Sequence, residues 1–96
     1  MNIICTEIFY TGHVLKKMFA KNISSENVRY VIEKGEVIKS YEEDKPYPSF
    51  LMLAFINNEP LHVVAAKNNA DQSCIIITAY EPDPLIWNPD FKTKKK

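Results

Sequence analysis

Two short stretches carry residue types capable of acid–base chemistry. In "TGHVLKKMFAKN", His13, Lys17 and Lys21 recur every fourth residue, with Lys16 beside them. On a helix that spacing lays an imidazole and two ammonium groups along one slowly drifting stripe. A histidine near a helix N-terminus tends to stay neutral, because the helix dipole disfavours added positive charge there, and a neutral imidazole can act as a base. In "EPLHVVAAK", His62 interrupts apolar strand formers, and in "CIIITAY" Thr78 and Tyr80 stand two apart, so they share one face of a strand. Together these groups suffice to cleave RNA without a metal. That reaction needs a base for the 2′-hydroxyl proton, cations for the crowded anionic phosphorus and an acid for the leaving 5′-oxygen. His13, Lys17, His62 and Tyr80 are the catalytic candidates, and Lys16, Lys21 and Thr78 the substrate-binding ones.

Each constellation also has a plain reading. A strand histidine beside a threonine and a tyrosine can be a satisfied polar group at a sheet margin. Lysines on an exposed helix face are ordinarily just solvated. Other chemistries find less support. Glu42, Glu43 and Asp44 are consecutive, point alternately along an extended chain, and suit a solvated strand edge better than a cation site. Gly12 and Gly35 are the only glycines, too few for a phosphate-cradling loop, and no nucleophile-elbow motif is present. The expected chemistry therefore uses no metal and no cofactor.

The elements that must position these groups can be read from periodicity. Thr11 caps a first helix with Val14, Leu15 and Met18 on its apolar side and Asn22 as its stop. Ser24 caps a second helix, Glu26 lies in its first turn, Val28, Val31 and Ile32 form its buried stripe, and Gly35 ends it. The period then changes to that of strands: "EVIKSYEE", "FLMLAFI", "LHVVAAK" and "CIIITAY", separated by the Pro46–Pro48 loop, Asn57-Asn58 and "NNADQ". The expected fold is α+β, with two N-terminal helices packed on an antiparallel sheet of about four strands. The first ten residues are either an extended lead-in or a short edge strand.

Strand pairing makes the histidine's position more specific. With Asn57-Asn58 as the loop, Leu53 lies opposite His62; a four-residue loop puts Phe55 there instead, and in either case Leu51, Leu53 and Phe55 share the face of His62. An odd-length loop such as "NNADQ" places His62 beside Thr78 or Tyr80, and an even one separates them onto opposite faces. Beyond Tyr80, Pro82, Pro84 and Pro89 oppose regular structure, while Leu85, Ile86 and Trp87 are too apolar to leave in water, so the tail should fold back and dock Trp87. The closing "KTKKK" is expected to be disordered, leaving an ordered core of about residues 11–89.

A chain of 96 residues supports one domain with one core. Its 12 basic and 12 acidic side chains cancel. That balance opposes nonspecific nucleic-acid binding, although a local basic patch survives a neutral total. Cys5 and Cys74 lack the short paired spacing of a zinc or redox site, and with no secretory leader or membrane-length apolar run they are expected to be reduced thiols of a cytoplasmic protein.

Across residues 11–87, "TGHVLKKMFAKNISSENVRYVIEKGEVIKSY", "PLHVVAA" and "IIITAYEPDPLIW" together resemble the bacterial family called domain of unknown function 4258. The resemblance implies a fold similar to RelE and ParE toxins and to barnase-like and colicin-like ribonucleases, with a small antitoxin protein as partner. By matching position it points to His13, Lys17, Lys21, His62, Thr78 and Tyr80. Lys17 and Lys21 depart from it, since arginine is typical there and lysine lacks the planar fork that grips phosphate in two places. The expected function is a metal-independent endoribonuclease toxin of a toxin–antitoxin pair, with an RNA substrate. The alternative is a non-catalytic RelE/ParE-like module that binds a protein. One condition separates them: the imidazole of the third strand and the cationic ridge of the first helix must face a common cavity. Placement back to back across the core ends a nuclease built on both and favours binding.

Overall fold

The computed structural model of the protein describes residues 4–96; Met1 to Ile3 and the part of the lead-in they form lie outside the described residues. The described chain runs β1 (Ile8–Tyr10), α1 (Gly12–Ala20), α2 (Ser25–Lys34), β2 (Glu36–Tyr41), β3 (Ser49–Ile56), β4 (Glu59–Asn68) and β5 (Ser73–Tyr80). Both helices start as the sequence implies: the Thr11 hydroxyl accepts from the Val14 N–H and the Ser24 hydroxyl from the Asn27 N–H. Asn22, with φ 58°, turns the chain out of α1 in the left-handed conformation that asparagine tolerates.

The sheet has five strands among the described residues, not four, in the order β1-β5-β4-β3-β2. It is mixed, because β1 runs parallel to β5 while the other pairs are antiparallel. The short edge strand that the first ten residues allowed is β1, but its parallel pairing is not readable from three residues of poorly alternating sequence, because only the crossover through both helices brings them alongside β5. Asn57 and Asn58, both at positive φ, form the two-residue turn, and Leu53 lies opposite His62.

The β4–β5 register reaches the expected pairing by another route. Asn68 pairs with Ser73, so the loop has even length and would set His62 opposite Ala79. A bulge opposite Val64/Ala65 inserts Ile77 as an extra residue, which restores the parity and places Tyr80 opposite His62. A second bulge at Ile38 does the same between β2 and β3, bringing Lys39 opposite Leu51 and Tyr41 opposite Ser49. Both irregularities therefore decide what stands on one face of the sheet.

The two faces are chemically different. Val14 and Met18 of α1, Val28, Val31 and Ile32 of α2, and the inward residues Met52, Ala54, Leu61, Val63, Ala65, Ile76 and Ala79 form the main core between helices and sheet. Gly35 lets α2 run directly onto β3, since a Cβ there would lie 2.5 Å from the Val31 carbonyl oxygen and 2.7 Å from that of Leu53. The opposite, helix-free face carries Leu51, Leu53, His62, Thr78 and Tyr80, and a strap from residues 82 to 95 crosses part of it. Trp87 docks there, 8% exposed, whereas Leu85 remains 82% exposed, contrary to the expectation that it too would be buried.

The Lys-rich end lies along the strap and the edge of the sheet. Lys94 bridges to Trp87, the Lys95 N–H donates to the Ile86 carbonyl, and Lys92 pairs with Glu36 at 3.0 Å. The cysteines also differ from expectation: Cys5 and Cys74 are joined in a disulfide. The parallel β1–β5 pairing puts them together, with the Cys74 N–H bonded to the Glu7 carbonyl and the Thr6 N–H to the Gln72 carbonyl. Their separation of 69 residues hides this proximity in the sequence.

Two stability measurements follow from these contacts. Gly35→Ala is expected to lower unfolding free energy by about 3 kcal/mol, because its methyl meets backbone atoms that cannot turn aside, while Gly12→Ala, with open space around it, leaves the urea midpoint unchanged or higher. Reducing the disulfide, which closes a loop spanning 69 residues, should cost about 4 kcal/mol in the same titration.

A cationic aromatic cleft as candidate functional site

His62 is fully buried, and both ring nitrogens are engaged. Nε2 lies 2.7 Å from the Phe91 carbonyl oxygen, and Nδ1 lies 3.1 Å from the Tyr80 hydroxyl. A carbonyl only accepts, so Nε2 carries the proton and Nδ1 accepts from the Tyr80 O–H. The ring is wedged edge-on against Trp87, with centroids 4.5 Å apart, and against Tyr80 at 5.2 Å. His62 thus fastens the strap to the sheet and fixes the direction of the Tyr80 phenol.

Around this unit lies a cleft of about 440 Å³, lined by Lys39 and Tyr41 from β2, Leu51 from β3, Tyr80 from β5, and Trp87, Lys92, Thr93 and Lys94 from the strap. Lys39 Nζ sits 5.4 Å above the Tyr41 ring, and Lys94 Nζ 5.7 Å above the Trp87 indole. Lys92 is partly neutralised by Glu36, whereas Lys39 and Lys94 form no ion pair among the described residues. Burial pushes the Tyr80 phenol up from its ordinary value, and the neighbouring Tyr41 adds to this. Burial pushes His62 down, with the Phe91 carbonyl opposing in part. The pair therefore rests neutral, phenol donating and imidazole accepting. Aromatic faces, ammonium groups and a pre-aimed phenol together suit an extended anion carrying flat rings.

The sequence-derived site residues divide between two places. His62 and Tyr80 meet directly, and Thr78 shares their face, paired with Val64. His13, Lys16, Lys17 and Lys21 do not join them. They are exposed on or at the end of α1, whose buried residues Val14 and Met18 belong to the core on the other side of the sheet. His62 stands between Leu61 and Val63, both of that core, so strand alternation turns its side chain away from the helices. The common cavity is thus absent, and a site combining His13 and Lys17 with His62 and Tyr80 is withdrawn: the sheet itself separates them. Sequence reasoning missed Lys39 and Tyr41, because the Ile38 bulge that aims them has no signature, and Lys92 and Lys94, because a lysine-rich terminus reads as disorder.

The model of the family "Domain of unknown function (DUF4258)" matches residues 10–81, and the chain belongs to that family. No curated protein and no solved structure matches the chain. The matched segment holds His62, Tyr80, Lys39 and Tyr41 but ends before the strap that supplies Trp87, Lys92 and Lys94. Among the described residues no group of three histidine, cysteine or acidic side chains is placed to hold a metal ion, and no helix is long and apolar enough to cross a membrane.

The buried imidazole makes stability depend on pH. In the unfolded chain His62 titrates near the ordinary value of 6.5, and in the folded protein below it. Below pH 6.5 the unfolded state binds a proton that the folded state refuses, so stability is complete above that value and falls as pH drops toward the lower, folded value. Urea titrations from pH 7.5 to 5 should show this loss. His62→Phe should lack that component and be less stable at pH 7.5 by about 3 kcal/mol, because the Tyr80 hydroxyl and the Phe91 carbonyl lose their partner.

Proposed function

We propose that the protein is a metal-independent endoribonuclease of the toxin–antitoxin kind, RelE/ParE-like in its fold, whose site is the cleft on the helix-free face. Separation of the two imidazoles removes the mechanism that needed both, but a mechanism built from the cleft's own groups does not use His13. The observation that carries the reading is the Phe91 carbonyl–His62–Tyr80 relay beside Lys39 and Lys94.

In this reading Tyr80 takes the 2′-hydroxyl proton as its own passes to His62 Nδ1. The 2′-oxygen bonds to phosphorus, the bond to the 5′-oxygen breaks, and the proton returns through Tyr80 to the 5′-oxygen, leaving a 2′,3′-cyclic phosphate and a 5′-hydroxyl. Burial makes His62 a reluctant acceptor, and the phosphate anion that Lys39 and Lys94 draw in favours the transient imidazolium. Those lysines also stabilise the charge that builds on phosphorus. RNA fits because its own 2′-hydroxyl is the nucleophile, so the protein needs only to move protons and hold charge.

A second reading is favoured by the full engagement of both His62 nitrogens: a non-catalytic module in which the imidazole merely holds strap and phenol together, and the cleft binds without cutting. A cytoplasmic setting and an antitoxin partner belong to the toxin reading. A toxin in a reducing cytoplasm would work with Cys5 and Cys74 as thiols, whereas one acting in an oxidising compartment would keep their bond.

Cleavage and binding of a labelled single-stranded RNA separate these readings. Tyr80→Phe, which keeps the ring and loses the hydroxyl, should cut about 100-fold more slowly while binding within about twofold. Lys39→Ala and Lys94→Ala should each weaken binding and flatten its salt dependence by about 0.7 in log–log slope. His13→Ala should change neither. Wild-type binding without cleavage establishes the second reading, and absence of binding removes both.

A further inference from the structure

The cationic ridge of α1 has no part in the cleft, yet it is not an ordinary solvated surface. No acidic residue occurs between Glu7 and Glu26, an 18-residue interval in a chain whose total charge is zero. Lys16, Lys17 and Lys21 form no ion pair among the described residues. The same helix exposes Leu15 (47%) and Phe19 (86%), which lie one turn apart on one side, while Val14 and Met18 face the core. An outward phenylalanine and leucine in a row, next to cations without an ion pair among the described residues, form an amphipathic surface whose charged side chains are all of one sign.

We propose that the outward side of α1 is a docking surface for an acidic amphipathic helix of a partner protein. The i, i+4 row of Leu15 and Phe19 offers the ridge over which apolar side chains of a second helix interdigitate. The flanking lysines select carboxylates at the edges of that contact and speed the encounter. A membrane surface fits less well, because α1 is nine residues long and its other large apolar residues, Val14 and Met18, are consumed by the core. RNA would use the lysines but not the leucine. The surface is independent of the cleft and of the chemistry proposed there.

Amide chemical-shift mapping of the full chain tests this with two synthetic helical peptides, both carrying a leucine stripe, one flanked by glutamates and one by lysines. The glutamate peptide should bind saturably and perturb residues 12–22; Phe19→Ser, at a site too exposed to disturb folding, should weaken it about tenfold in Kd; added salt should weaken it too. Lys39→Ala in the cleft should leave peptide binding unchanged, and Phe19→Ser should leave RNA binding unchanged, so failure here is distinct from failure of the nuclease reading. Equal affinity for both peptides, perturbation of Lys39, Tyr80 and Lys94 instead of α1, or no saturable binding overturns the proposal. So does perturbation of α1 only by a short RNA or by anionic phospholipid vesicles.

Discussion

One buried imidazole links the sheet to the strap that completes its helix-free face. His62 donates to a backbone carbonyl of the strap and accepts from a tyrosine of the neighbouring strand, so both of its polar atoms are satisfied between the sheet and the strap. A histidine placed there without either partner would carry the full cost of a dry, unpaired polar group. With both, it becomes a two-ended clamp that also fixes its own tautomer. The strap has little regular structure of its own, and its remaining ties are the Trp87 indole, the Phe55–Phe91 ring contact, the Lys92–Glu36 pair and local backbone bonds. The position of Lys94 and Thr93 in the cleft therefore depends on that clamp.

The division of labour between the two faces of the sheet follows from strand alternation interrupted at two points. On the helix side, Val63, Ala65, Ile76 and Ala79 keep the core apolar through the β5 bulge. On the other side, the bulges at Ile38 and Ile77 re-aim Lys39, Tyr41, Thr78 and Tyr80 toward one region. A regular sheet with the same sequence would set Ala79, not Tyr80, against His62 and lose the relay. Bulges of this kind commonly adjust side-chain direction beside functional sites. Here each lies on a strand that supplies a tyrosine to the cleft.

Much of the fold was legible because local signals were strong and mutually consistent. Ser24, Glu26 and the Val28, Val31, Ile32 stripe define α2 without help from tertiary structure, and the Asn57-Asn58 turn fixes the face that β3 shares with His62, the structure choosing Leu53 over Phe55 as its partner. The parallel pairing of β1 with β5 and the Cys5–Cys74 bond were not legible, because both depend on bringing the chain's beginning beside a strand near its end. Half of the candidate site was legible: His62 and Tyr80 could be paired, although through a loop of the wrong parity corrected by an unforeseen bulge. The cationic half was assigned to α1, since helical spacing reveals which lysines share a stripe but not which side of a sheet the helix will cover.

That misassignment has a physical consequence for how the neutral total charge should be understood. Six of the twelve positive side chains fall into two sets on opposite faces, Lys39, Lys92 and Lys94 in the cleft with aromatic rings and Lys16, Lys17 and Lys21 along α1 with exposed Leu15 and Phe19. A single basic surface would bind any polyanion and would compete with itself for ligands. Two separated surfaces of different texture can hold different partners at once, because aromatic faces beside ammonium groups suit flat rings on a charged backbone, whereas aliphatic and aromatic side chains on a helix suit another helix. The five-stranded sheet lies between them, and β5 is the strand common to both, since it contacts α1 on one side and presents Tyr80 on the other.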